Sequence, residues 1–313
     1  MEFKATRVGY GEAILELGKK NKNIVVLSAD VTASTSSHLF ANEFTDRFYN
    51  MGIAEQDMIC EAAGLALVGR IPFASAYSIF ATGRAWDQLR NTVCYSNLNV
   101  KIVGTHTGLL VGPDGATHQA LEDIAITRVI PNLKVIVPCD YLEAEKATYA
   151  LASDIGPAYL RLGREAIPTL TDKNTDFTIG KANVLKEGSD VVIFACGVMV
   201  SEALKAAHIL EHEHINVSVV NIHTIKPIDE DLIIAKAKET GAVVTAEEHQ
   251  VMGGMGSAVV EVLCRECMAP VEMIGMKDCF GESGAPYDLL KTYGLTSSEI
   301  ILAVKRVLER KQV

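Results

Sequence analysis

The stretch of the sequence best equipped for chemistry is the glycine-rich segment 103–125, VGTHTGLLVGPDGATHQALEDIA. Its polar residues include His106, Asp114 and His118, which place two imidazoles and one carboxylate in a single loop. Such groups can move protons or bind hydroxyls and phosphate, and glycines allow a ligand to approach the backbone closely. A structural loop whose side chains satisfy turn amides explains the segment equally well at this point. A zinc site is disfavoured, because the close ligand pair of most zinc sites is missing.

A second candidate is Glu55, the acid in FYNMGIAEQDM (48–58), which comes just before the apolar helical run MICEAAGLALVG. An acid at a helix N-terminus is stabilised by the helix dipole by about 0.3–1 kcal/mol, and this alone would explain it. The other explanation is a carboxylate that takes part in chemistry. The segment YSIFATGRAWDQLRN (77–91) adds Tyr77 and Phe80, whose rings either line a pocket for a flat ligand or pack in the core.

Three further motifs favour structural roles. Cys264 and Cys267 form a CxxC, but no second pair or nearby histidine completes a metal site. The two histidines of HILEHEH lie one helical turn apart among glutamates, which is typical of a solvated helix face. The glycines of GGMG at 253–256 lack the rest of a dinucleotide-binding motif and indicate a tight strand-to-helix turn. We therefore expect no metal site in this chain.

Alternating strands and helices must position these residues. β-Branched apolar runs alternate with longer amphipathic ones, which predicts an α/β fold of mostly parallel sheets with helices on both faces. Ligands of such sheets bind at the carboxyl ends of the strands. The predicted strands include 23–30, 99–106, 134–139, 190–197, 215–222 and 242–249, and the predicted helices include 7–20, 57–69, 142–153 and 200–213.

The alternation is interrupted once by a polar stretch that begins EAIPTLTDKNTDF. Its prolines, glycines and charges are typical of a connection between domains. The sequence thus predicts a first α/β domain at 1–165, a linker at 166–185 and a second α/β domain at 186–313.

Composition narrows the class of protein. The chain has 313 residues, of which 49% are hydrophobic, and this is typical of a globular protein with sizeable cores. A net charge of −10 without a basic block argues against a general nucleic-acid binder. No signal-peptide core is visible, and no run approaches the roughly 18 apolar residues of a membrane span. We expect a soluble cytoplasmic protein whose cysteines are reduced.

Four segments in order, GIAEQD, YSIF, GPDGATHQ and GPAYLRLGR, resemble the thiamine-diphosphate-dependent transketolase family. The resemblance spans the whole chain but corresponds to the second half of the family's full-length members, namely the pyrimidine-binding and C-terminal domains. Those full-length members hold the cofactor's diphosphate through Mg²⁺ with a GDG motif and a later Asn, and this chain contains no GDG. The resemblance therefore implies the C-terminal subunit of a split transketolase. Its N-terminal partner subunit would carry the GDG motif and hold Mg²⁺.

The resemblance also implies roles for individual residues toward thiamine diphosphate. Glu55 matches the glutamate that hydrogen-bonds N1′ of the aminopyrimidine, and Phe80 matches the ring that stacks on it. Asp30 and Tyr77 match positions close to the cofactor. Gly83 and Arg84 depart from the family, whose full-length members have further aromatic residues at this point.

Toward the substrate, the resemblance implies contacts with a sugar phosphate. Asp114 and His118 match residues that contact sugar hydroxyls close to the reacting carbons, and they join Glu55 as catalytic residues. The residues that match the phosphate-binding group come from separate segments and are Arg7, Ser34, His106 and Arg164, with Arg161 of LRLGR as an alternative to Arg164.

The implied reaction moves a two-carbon ketol group from a ketose phosphate to an aldose phosphate, either among the pentose phosphates or on unusual ketoses. The implied assembly is a dimer of this chain with two partner subunits, α2β2. One alternative is the β-subunit of a 2-oxo acid dehydrogenase, against which GPDGATHQ argues. Another is a deoxyxylulose-phosphate-synthase-like enzyme, because Tyr77 and Arg84 are similar to the residues that this enzyme has there. A regulatory subunit without chemistry is disfavoured by the intact Glu55, Asp114 and His118.

Overall fold

The computed structural model describes residues 2–311. Its strands form two main sheets with helices on their faces, which confirms the predicted α/β class. The strands up to residue 168 are β1 (Phe3–Lys4), β2 (Ile24–Ser28), β3 (Phe48–Asn50), β4 (Ile71–Tyr77), β5 (Lys101–Thr105), β6 (Lys134–Ile136), β7 (Ala158–Arg161) and β8 (Ile167–Pro168). The later strands are β9 (Asn183–Lys186), β10 (Val191–Ala195), β11 (Val217–Asn221), β12 (Thr224–Lys226), β13 (Val243–Gln250) and β14 (Val271–Met276).

The helices cover the predicted amphipathic segments and several shorter ones. They are α1 (Thr6–Lys20), α2 (His38–Glu43), α3 (Glu55–Leu67), α4 (Trp86–Gln88), α5 (Asp123–Arg128), α6 (Tyr141–Ser153), α7 (Met199–Glu211), α8 (Glu230–Thr240), α9 (Met255–Glu266), α10 (Pro286–Thr292) and α11 (Ser297–Lys311). Two π-helical stretches, Ile79–Arg84 and Leu89–Cys94, flank α4. Within residues 2–311, none of these helices combines the length and the apolar character needed to cross a membrane.

The first sheet has seven strands in the order β12-β6-β7-β5-β4-β2-β3. From β6 to β3, all neighbours run parallel. Every residue of β2 and β5 is buried, as expected for apolar strands that are covered on both faces. The carboxyl ends of these parallel strands therefore meet at a single edge of the sheet.

The second sheet has five strands in the order β14-β13-β10-β11-β9. Its first four strands run parallel, and β9 closes the edge in the antiparallel direction. The strands predicted at 190–197, 215–222 and 242–249 are confirmed as β10, β11 and β13. All residues of these strands except Gln250 are buried, as expected for strands covered by helices on both faces.

The two halves of the chain interlock. Strand β12 of the later half pairs antiparallel with β6 and adds an edge strand to the first sheet. In return, Leu109, Leu110 and Leu121 of the first half are buried in the hydrophobic core that surrounds the second sheet. The predicted division into domains at 1–165 and 186–313 with a linker at 166–185 stays a prediction. Contacts from each half reach into the other half.

Candidate active site

The predicted functional residues follow successive strands of the first sheet. Asp30 comes shortly after β2, Glu55 opens α3 beyond β3, Tyr77 ends β4, His106 follows β5 and Arg164 follows β7. These strands are parallel neighbours, so the side chains that follow them lie along one edge. Segments far apart in sequence are thereby brought to the place where open α/β sheets bind ligands.

Glu55 is buried at the start of α3, and Arg84 donates its Nη1 to the Glu55 Oε2 at 2.6 Å. The same guanidinium lies over Phe80, with 4.5 Å between its Cζ and the ring centroid. Glu55 and Arg84 border an open cavity of about 460 Å³ at the surface. The Arg84 guanidinium, which is a flat cation with N–H donors, thus contacts both the buried Glu55 carboxylate and the Phe80 ring.

Aromatic and imidazole rings cluster next to this pair. Tyr77 stacks on His106 with 4.0 Å between ring centroids, and Phe80 meets His118 edge-on at 5.3 Å. Tyr77 also meets His118 edge-on at 6.2 Å. The two histidines of the glycine-rich loop therefore lie against the aromatic segment, although 11 residues separate them in sequence.

Arg7 and Arg164 lie close to each other and to His106. Arg7 donates Nη1 to the Ser34 carbonyl at 2.6 Å and Nε to the Arg164 carbonyl at 3.2 Å. Arg164 donates Nη1 to the Val111 carbonyl at 2.7 Å and contacts Asp114 Oδ1 at 3.3 Å. Burial, and then the charge of Arg164, lower the pKa of Arg7. Two adjacent positive charges make this a favourable place for an anion.

His106 is a neutral member of this group. Burial is the main cause that lowers the pKa of His106 to about 3, and the charges of Arg7 and Arg164 add to it. The residue adopts φ of 56° and hydrogen-bonds Thr105 Oγ1 through Nδ1 at 3.0 Å. His106 can therefore hydrogen-bond an anionic ligand at neutral pH, but it adds no positive charge.

The structure distinguishes the two arginines of LRLGR. Arg161 is buried and donates Nε to Asp123 Oδ2 at 2.7 Å, and its Nη2 donates to the carbonyls of Ala120 and Glu248. Burial raises the pKa of Asp123, but Arg161 and His249 outweigh it and the net pKa lies below its ordinary value. Arg161 is thus committed to the protein interior, and Arg164 is the better candidate for a ligand contact.

Asp30 lies at the outer part of the edge. Its Oδ1 accepts from Asn50 Nδ2 at 3.1 Å, and its backbone N–H donates to Asn50 Oδ1 at 3.0 Å. These reciprocal bonds tie the ends of β2 and β3 together just ahead of Glu55. Asp30 is exposed and adopts φ of 60°.

Sequence reasoning missed several residues that shape the site. It did not pair Arg84 with Glu55, because their 29-residue separation gives no hint of an ion pair. It also missed Asp123 and Glu248. The pair of carboxylates in VVTAEEH, at the end of an otherwise apolar strand, was a visible indication of buried charge. Within residues 2–311, no group of three or more His, Cys, Asp or Glu side chains is arranged to hold a metal ion.

Comparison with known proteins gives matches along the whole chain. Residues 3–169 match the family described as transketolase, pyrimidine binding domain, and residues 180–300 match transketolase, C-terminal domain. The chain is 48% identical over 310 residues to a putative transketolase C-terminal section of Methanocaldococcus jannaschii, covering 98% of this chain and 96% of that protein. It is 42% identical over 302 residues to a 6-deoxy-6-sulfo-D-fructose transketolase subunit of Clostridium sp. strain MSTE9, covering 96% and 94%.

Among solved structures, the chain is similar to a split gene transketolase described as an inactive β4 tetramer. The two share 50% sequence identity and superpose with a TM-score of 0.92. The similarity covers 98% of this chain and 99% of the other.

The environment of His106 predicts its titration. We expect its imidazole to stay neutral between about pH 5 and about pH 8, since burial and two arginines disfavour the charged form. Its contribution to folding stability is present above the unfolded pKa of about 6.5 and is lost as the pH falls from there towards the folded value of about 3. Imidazole ¹⁵N shifts of histidine-labelled protein measure this, with His106→Gln identifying the resonance. A midpoint close to the ordinary pKa would contradict the prediction.

Proposed function

Because the chain belongs to the transketolase family, we propose that it is the C-terminal subunit of a split transketolase, which transfers a two-carbon ketol group between sugar phosphates. The observation that carries the proposal is the arrangement at one sheet edge of Glu55, Phe80 and the Arg7–Arg164 pair. A carboxylate for N1′ of the pyrimidine, a ring for a flat cofactor and an anion site are the groups that this transfer requires. The 2-oxo acid dehydrogenase alternative is not favoured, since the relatives described above are transketolase sections.

Thiamine diphosphate is the cofactor that the family implies, and the residues present fit its aminopyrimidine. When bound, it supplies the electron sink for the two-carbon fragment. The Arg84 guanidinium is flat and carries N–H donors, and it already contacts both the Glu55 carboxylate and the Phe80 ring. These are the two contacts that an aminopyrimidine needs. We propose that the diphosphate and Mg²⁺ are held by the partner subunit.

Each residue of the edge then has a role. Glu55 would hydrogen-bond N1′ of the pyrimidine through its carboxylate, in place of the contact that the Arg84 guanidinium makes to Oε2. Asp114 and His118 bind sugar hydroxyls from the glycine-rich loop. Tyr77 fixes His106 by stacking, so that the neutral imidazole can donate a hydrogen bond to the substrate.

The anion site indicates the class of substrate. Two guanidiniums, from Arg7 and Arg164, match a phosphate monoester, which carries roughly −1.5 to −2 charge at pH 7. A sulfonate, as in the named substrate of the Clostridium relative, offers the same three oxygens with a single charge. We propose a phosphorylated sugar, and a comparison of fructose 6-phosphate with 6-deoxy-6-sulfo-D-fructose separates the two classes.

The surface of α3 supports self-association. Ile53, Leu67 and Val68, just before, within and just after the helix that begins at Glu55, are 76%, 72% and 75% exposed. Gly64 on the same helix would meet no atom within 4 Å if it carried a Cβ. Exposed apolar side chains at both ends of α3, with the open surface at Gly64 between them, fit a second copy of the chain. We propose a dimer that is completed by two N-terminal subunits carrying the GDG motif, as α2β2.

The central test is substitution of Glu55. In the complex of this chain with its N-terminal subunit, we expect Glu55→Gln to lower kcat for ketol transfer by about 10²–10⁴-fold, since the carboxylate proposed for proton transfer at N1′ is lost. Asp231→Asn is the matched control, because Asp231 is an exposed acid in the first turn of α8. Transfer from xylulose 5-phosphate to ribose 5-phosphate, followed with mass measurement of the complex, gives the readout. Normal transfer by Glu55→Gln, or an active monomer of this chain alone, would refute the proposal.

Arg84 has a second testable consequence. Because it occupies both contacts proposed for the pyrimidine, Arg84→Met should tighten binding of thiamine diphosphate to the complex. Because Arg84 is half exposed and screened by solvent, we take its contact with the buried Glu55 as about 1 kcal/mol, which corresponds to an increase of about five-fold in affinity. Titration calorimetry measures the change, and Arg90→Met, also an exposed arginine of this segment, should leave it unaltered. Weaker binding by Arg84→Met would show that Arg84 instead helps to hold the cofactor.

The two arginines of LRLGR should respond differently to substitution. Arg164→Met should raise KM for the phosphorylated sugar by at least about ten-fold, because a charge-assisted hydrogen bond is lost, and leave Tm nearly unchanged. Arg161→Met should lower the free energy of unfolding by about 3–5 kcal/mol, since it leaves the Asp123 carboxylate buried without its partner. Steady-state kinetics and denaturant unfolding separate the two. The reverse pattern would assign the substrate contact to Arg161.

A further inference from the structure

The glycine-rich loop at 106–118 packs against the second half of the chain. The 106–118 loop begins directly after β5 and is closed by a backbone hydrogen bond from Gly108 N–H to the Ala120 carbonyl at 3.0 Å. Between these ends, Leu109 and Leu110 insert into the hydrophobic core of the second half. The loop that carries Asp114 and His118 thus rests on the other sheet.

One side chain fixes this contact. Glu248, on β13 of the second sheet, accepts a hydrogen bond from Leu110 N–H through Oε1 at 2.7 Å. Its carboxylate lies against Gly108, where an added Cβ would fall 2.1 to 2.4 Å from the carboxyl atoms. Gly108 adopts φ of 69°, so both its backbone angle and the space favour glycine. The carboxylate and the turn of the loop are therefore fitted to each other.

The backbone around Glu248 is itself anchored in the first half. The Glu248 carbonyl accepts from Arg161 Nη2 at 3.0 Å, and the same Nη2 donates to the Ala120 carbonyl at 3.2 Å. Gln250 N–H donates to the Leu121 carbonyl at 2.8 Å. The buried Arg161 therefore joins the end of β13 to the closing residue of the loop.

The neighbouring acid on β13 gives a matched reference. Glu247 is as deeply buried as Glu248, and burial raises the pKa of each to about 7. Because side chains alternate along a strand, Glu247 points away from the loop. It accepts from Met255 N–H at 2.7 Å and Gly256 N–H at 2.8 Å and caps the start of α9. Two adjacent buried carboxylates thus hold different elements.

We propose that Glu248 is a positioning residue, through which the second half of the chain fixes the 106–118 loop and so sets how Asp114 and His118 meet the substrate. The inference rests on the proposed function for the identity of that substrate. The placement of the loop by Glu248 does not depend on it. A role for the second half in substrate binding follows, although the predicted catalytic residues all belong to the first half.

Hydrogen exchange of the chain tests the placement without any activity. In Glu248→Ala, exchange of the Leu110 amide should speed up by about ten-fold or more, because its acceptor is lost. Glu248→Gln keeps an acceptor oxygen and should remain within about three-fold of the native rate. In Glu247→Ala the faster exchange should appear at Met255 and Gly256 instead. Unchanged exchange at Leu110 in Glu248→Ala would overturn the proposal.

Kinetics of the complex test the consequence for the substrate. Glu248→Ala should raise KM for the sugar phosphate by about ten-fold, as a displaced loop loses the equivalent of one hydrogen bond. Glu247→Ala should lower Tm and leave KM within about two-fold of the native value. Equal KM values for the two variants would reduce Glu248 to an ordinary core residue and refute the proposal.

Two alternatives apply if Glu248→Ala does not fold or if the native complex is inactive. If Glu248→Ala does not fold, Glu248→Asp keeps the charge but withdraws the acceptor by one methylene, and the same changes in exchange and KM are expected. If the native complex transfers no ketol group, the proposed function fails, and the exchange experiment still decides whether Glu248 holds the loop.

Discussion

The shared direction of the strands from β6 to β3 is the constraint on which the site depends. Parallel strands need a crossover between each pair, so every strand returns to the same side and ends at the same edge. The residues that follow those strands are thereby collected in one row, from Asp30 to Arg164. This arrangement does not depend on contacts among the site residues, because it follows from the direction of the strands.

The edge of the first sheet positions the site residues, and the second half of the chain helps to hold them through hydrogen bonds. Burying the Arg161–Asp123 pair is expensive unless further hydrogen bonds satisfy the carboxylate. Ser78 and Tyr159 donate hydroxyl hydrogen bonds to Asp123 Oδ2, while Oδ1 has no hydrogen-bond partner within residues 2–311, and Arg161 also donates to the Glu248 carbonyl. The seam between the halves is thus a hydrogen-bonded network with defined partners, and this fixes one relative placement of loop and sheet.

Local charge within the site is balanced by the protein itself. Arg84 neutralises Glu55, and Asp114 lies close to Arg164. Burial keeps His106 uncharged by lowering its pKa, and the positive charges of Arg7 and Arg164 lower that pKa further. The edge therefore combines carboxylates, a neutral imidazole and the guanidiniums of Arg7 and Arg164, whose N–H groups are suited to an anionic ligand with hydroxyl groups.

The sequence by itself determined the α/β class and strands such as β2, β5, β10 and β13, since short β-branched stretches alternate with longer amphipathic ones. Resemblance in four segments determined the family, because those segments keep residue types and order. Only the tertiary structure decided that Arg84 pairs with Glu55, that Arg161 turns inward while Arg164 faces the loop, and that β12 and Glu248 cross between the halves. Such pairings join residues that are distant in sequence, and they depend on which side chains are buried and in which direction they point. Short segments such as TIK or LRLGR have no periodic pattern from which this could be predicted.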